Sequence, residues 1–129
     1  MSFLDNPAWL ARILTIGAVL EIGTGAGLLV APSKLAVLLL RSPLEGAGRV
    51  IGRVAGGALL ALGLACWYAR LEPATTAGLG VARAFFVYNL VVCITLAAQR
   101  PAIGRGGLPA LSGAVLHGLL AVALLIALL

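Results

Sequence analysis

The sequence predicts an all-α fold, a single-domain four-helix bundle integral to a membrane. Three observations predict it. Hydrophobic residues fill 62% of the 129 positions and charged residues only 10%, against about 25% charged in a soluble domain. Mean hydropathy is +1.14. Four apolar runs each approach the roughly 20 residues that cross a hydrocarbon core of about 30 Å as a helix.

The first span is expected over residues 9–30, WLARILTIGAVLEIGTGAGLLV. Asp5 or Asn6 is a candidate cap for it, with Pro7 in the first turn, where a missing N–H is tolerated. The run is too long for the apolar core of a signal peptide, so it is expected to be retained as a span. Pro32 should end it. The following run Leu35–Leu40 is too short to cross and reads as an interfacial helix or a bent tail of span one, with Ser33 as N-cap. The second span covers residues 48–68, the third 77–98 and the fourth 108–129. Gly48, Gly52 and Gly56 recur every four residues in the second, a spacing that lets two helices approach closely. They are the candidate packing residues, and they leave room for a homo-oligomer or a partner membrane protein.

Net charge is +5. The basic residues flank apolar runs, where they orient spans and meet lipid headgroups, and no basic patch with interleaved aromatics points to nucleic acid. Lys34, Arg41, Arg49, Arg100 and Arg105 fall on one side and Arg12 and Arg70 on the other. The positive-inside rule then places the first and third links in the cytoplasm and both termini outside, in a bacterial cytoplasmic membrane. Trp9, Trp67 and Tyr68 would form an aromatic belt at the outer interface.

Glu21 lies inside span one, nine residues from Val30, or about 13–14 Å deep at helical rise. An ionisable group near the bilayer centre costs about 2.5–3.5 kcal/mol on insertion scales. By residue counting, Arg53 and Arg83 come within side-chain reach of it, while Asn89 and His117 lie near mid-depth and Tyr88 adjoins Asn89 in sequence. Two readings follow. Glu21 pairs with Arg53 or Arg83 as a buried structural ion pair, or Glu21, Arg53, Arg83, Tyr88, Asn89 and His117 line a cavity that takes a polar or lipid-like ligand. Thr15, Thr24 and Ser112 are expected to bond their own helix backbones. One histidine and two separated cysteines, Cys66 and Cys93, give no zinc or bis-histidine haem site, and no phosphate-binding or nucleophile motif is present, so neither a metal nor a cofactor is expected.

The stretches RVIGRVAGGALLALGLACWYAR, FVYNLV and LPALSGAVLH resemble the broad group of small bacterial four-span DoxX-like membrane proteins. That resemblance implies a four-span fold and a mixed set of roles, including partner subunits of redox systems. Glu21 within VLEIGTGAG is also similar to the membrane glutamate of the small multidrug resistance family, which implies exchange of protons for cationic drugs. Here the chain departs from the pattern in Arg49, Arg53 and Arg83 and in its few aromatic residues.

Three functions are therefore expected to compete. The protein binds an apolar or lipid-like small molecule, or serves as a membrane subunit of a partner complex. Alternatively it is a proton-coupled transporter using Glu21. The third is a membrane-embedded enzyme acting on a lipophilic substrate with Glu21 or His117 as acid/base.

Overall fold

The structure is a computed structural model and describes residues 7–99 and 108–129. Its helices are α1 (Pro7–Val30), α2 (Pro32–Leu40), α3 (Ala47–Ala69), α4 (Thr76–Ala98) and α5 (Leu108–Leu128). All but α2 are long and apolar enough to cross a membrane. The protein is an integral membrane four-helix bundle. Asp5, Asn6, Arg100 and Arg105 lie outside the described residues.

The breaks have local causes. Ala31 leaves the helix at φ −140°, and Pro32, which has no N–H to continue α1, starts α2. The run after Pro32 is thus a separate short helix. It starts two residues earlier than the sequence suggested, with Ala31 rather than Ser33 at the N-cap, which puts Ser33 inside the first turn. Its hydroxyl does not cap α2 but donates to the carbonyl of Leu44. Arg41 closes α2 in the left-handed region, φ 58°, with its N–H on the Val37 carbonyl. Gly46 opens α3 at φ 49°, ψ −125°, a conformation that only glycine adopts cheaply. Thr75 caps α4 by accepting from the Gly78 N–H at 3.1 Å.

The helices pair as α1 on α3 and α4 on α5. The α1–α3 seam is a contact of backbones. A Cβ on Gly56 would lie 2.8 Å from the Gly25 carbonyl oxygen, and one on Gly63 would lie 2.8 Å from the Ile22 nitrogen. The four-residue glycine repeat therefore divides. Gly56 belongs to this seam, Gly52 packs on Pro32 and Leu44, and Gly48 makes only ordinary contact with Leu44. Gly25 and Gly63, which that repeat does not include, do the rest of the work. Gly52 and Gly56 are buried inside the chain, so that face is not free for a second copy.

The large core side chains gather where α1 and α4 begin and α3 and α5 end. Leu14, Ala18, Cys66, Ala82, Phe85 and Leu124 are fully buried there. Most large apolar residues point outward instead, among them Val19, Ile51, Val54, Val87, Ile94 and Leu119. Outward apolar surface on helices of this length meets lipid. At the core end, Arg70 lies 3.7 Å over the Trp67 ring, a cation–π contact.

Candidate functional site, a polar layer at mid-bundle

Helical periodicity brings the polar groups together. On α1 the buried register runs Leu10, Leu14, Gly17, Ala18, Glu21, Gly25. On α4 it runs Gly78, Ala82, Phe85, Asn89. On α5 the buried Ala110, Ala114, Ala121 and Leu124 are spaced so that His117 shares their face. Glu21, 2% exposed, and Asn89, 0% exposed, are thus forced into an otherwise apolar interior.

Tyr88 donates its hydroxyl to Glu21 Oε2 at 3.0 Å. Glu21 Oε1 is buried with no hydrogen-bond partner. Asn89 Nδ2 donates to the Phe85 carbonyl at 2.8 Å. That bond orients the amide, because only the nitrogen can donate to a carbonyl. Asn89 Oδ1 then faces His117 Nδ1 at 2.7 Å, so Nδ1 carries the proton. The Tyr88 ring stands edge-on to His117 at 5.7 Å and lies nearly parallel to Phe85 at 6.1 Å. One tyrosine thereby joins the carboxyl of α1 to the imidazole of α5.

The two arginines are not part of this layer. Arg53 is exposed, and its Nε donates to the Leu29 carbonyl at 3.3 Å. Arg83 is exposed as well. The reason is angular. Gly52 and Gly56 turn inward on α3, and Ala82 and Phe85 on α4, which leaves the arginines on the outer flanks. Neither supplies a counter-charge to Glu21, and the expected buried ion pair is replaced by the Tyr88 bond. Thr15 and Ser112 bond the carbonyls of Ala11 and Leu108, four residues back on their own helices.

Sequence reasoning passed over two residues that build the site. The Phe85 ring sits so close to Gly17 that a Cβ there would overlap it. Gly17 lies one turn before Glu21 and Phe85 one turn before Asn89, and these spacings are the signal that could have found them.

Asn89→Leu should remove both amide bonds and leave the His117 N–H without an acceptor. A stability loss of about 1–3 kcal/mol is expected, read as the shift in a denaturant titration of helicity in detergent micelles. An unshifted transition would show that the Asn89–His117 bond contributes nothing.

What the layer offers chemically is a buried carboxyl with one oxygen engaged and one open, beside an imidazole held in one tautomer. The chain matches no family model, no curated protein and no solved structure.

Proposed function

We propose that this protein binds a small apolar or lipid-like molecule at mid-membrane, with Glu21 accepting a hydrogen bond from it. The observation that carries the reading is Glu21 Oε1, which is buried and has no partner. An empty buried acceptor is uncommon in a folded protein and costs about 1–3 kcal/mol. A donor on a bound molecule would recover that cost. The α1–α4 seam is the entry this reading favours, because those helices meet through the side chains of Tyr88 and Phe85 rather than by close backbone contact. The same proposal places the protein in a bacterial cytoplasmic membrane with both termini outside, on the distribution of lysine and arginine. It includes kinship with the DoxX-like group. It also includes association with a second copy or a partner membrane protein, through faces other than that of Gly52 and Gly56.

Native mass spectrometry of protein extracted from membranes tests the binding. Glu21→Gln keeps the side-chain shape and an oxygen for Tyr88, but can put an amide donor where the open acceptor was. The wild type should carry a small-molecule adduct that Glu21→Gln lacks. Equal adducts in both proteins, or none in either, would overturn the reading.

One observation favours a second reading, proton-coupled transport. With Arg53 and Arg83 exposed, Glu21 has no fixed cation beside it and can take a mobile one. Proteoliposomes under a pH gradient should then accumulate tetraphenylphosphonium with the wild type and not with Glu21→Gln. Equal accumulation removes this reading.

A further inference from the structure

The helix junction formed by the end of α1, α2 and the start of α3 carries a cluster of cations unconnected with the polar layer. Lys34, Arg41, Arg49 and Arg53 are all exposed. Glu45 is the one carboxylate at this end among the described residues. Charge alone would make this a diffuse patch. Two of its members, however, are held in place.

Arg53 Nε donates to the Leu29 carbonyl at 3.3 Å. That carbonyl sits in the last turn of α1, where acceptors lack helical partners, and Pro32 brings no N–H nearby. Arg49 Nε donates to the Leu44 carbonyl at 3.1 Å. Leu44 also accepts from Ser33, which ties α2 to the link before α3. Arg49 and Arg53 are four residues apart on α3 and so neighbours on one face, with Cβ atoms about 5–6 Å apart. In each, the anchored Nε leaves the two terminal amino nitrogens of the guanidinium for an outside acceptor. Two such forks side by side match the oxygens of a phosphate. The site lies at the ends of membrane-crossing helices, the level of lipid headgroups, and α2 exposes Val37, Leu38, Leu39 and Leu40 beside it.

We propose that Arg49 and Arg53 form a phosphate clamp for one anionic phospholipid, whose acyl chains lie against the exposed apolar side of α2. Lys34 and Arg41 add to the field, and the two anchored guanidinium groups set the position. The proposal does not depend on a ligand at Glu21.

Native mass spectrometry of the full chain in mixed micelles tests it, using phosphatidylglycerol and phosphatidylcholine with the same acyl chains. The wild type should retain phosphatidylglycerol in preference to phosphatidylcholine. Each basic residue near a membrane surface is worth about fivefold in binding, so Arg49→Gln/Arg53→Gln should lose about thirtyfold. Arg12→Gln/Arg83→Gln, which removes the same charge from the other end, should retain the lipid. If loss of the Leu29 bond unfolds the double variant, Arg49→Gln alone should still lose about fivefold. Equal binding of the two lipids would overturn the proposal. So would equal losses in the two double variants, or undiminished binding in Arg49→Gln.

Discussion

Gly25→Leu and Gly56→Leu should each destabilise the bundle by about 3 kcal/mol or more, the upper range for forcing side chains into packed interiors. The basis is the backbone contact between α1 and α3. A Cβ on Gly25 would lie 2.7 Å from the Gly56 oxygen and 2.7 Å from the Leu60 nitrogen. Those atoms cannot swing aside as a side-chain tip can, so the helices must separate. Separation is costly in lipid, where apolar surface gains nothing by leaving one apolar neighbour for another and close packing is the main source of association. The controls lie beside the test sites. Gly23 and Gly57 have nothing within 4 Å of an added Cβ. Gly23→Leu and Gly57→Leu should change stability by no more than about 0.5 kcal/mol, as surface substitutions do. The measurement is helicity against added denaturing detergent. Similar transitions for all four variants would mean that α1 and α3 do not meet at this seam.

Replacing Glu21 and Tyr88 together should make the protein more stable. In Glu21→Met/Tyr88→Phe the carboxyl and the hydroxyl leave as a pair, and no buried polar atom is stranded by the change. Removing both partners of a buried polar contact is commonly neutral or stabilising. Here the carboxyl also carries an oxygen with no partner at a depth where an ionisable group costs about 2.5–3.5 kcal/mol. A gain of about 1–3 kcal/mol is expected on that scale, with loss of any small-molecule adduct. Glu21→Met alone should gain less, since it leaves the Tyr88 hydroxyl without its acceptor. The sign separates a binding group from a structural one. If Glu21 served only to hold helices together, the double variant would be less stable than the wild type.

Much of the architecture was legible in the residues themselves. The four spans are set by apolar length, a property the bilayer reads directly. Pro32 had to interrupt the chain after Val30, because proline lacks the N–H a helix needs there. Glu21, Asn89 and His117 could be placed at similar depth by counting, because helical rise is constant. Counting says nothing of azimuth, however, and azimuth decided the site. Arg53 and Arg83 lie within reach by depth, yet they leave the bundle on its outer flanks because Gly56 and Phe85 turn inward.

The glycines show the same division. Spacing in one helix marks a surface that could pack closely, as it did at Gly48, Gly52 and Gly56. Which of them meets a neighbour, and that Gly25 and Gly63 complete the seam, depends on how two helices cross. Length and hydropathy, which are properties of single segments, suffice to specify an all-α membrane bundle with ionisable groups buried at its middle. That Glu21 is held by a tyrosine, with one oxygen left open, rather than by an arginine is set by how the helices pack together. That outcome is a relation among α1, α3 and α4, and it follows from the facing of three helices that no one of them encodes alone.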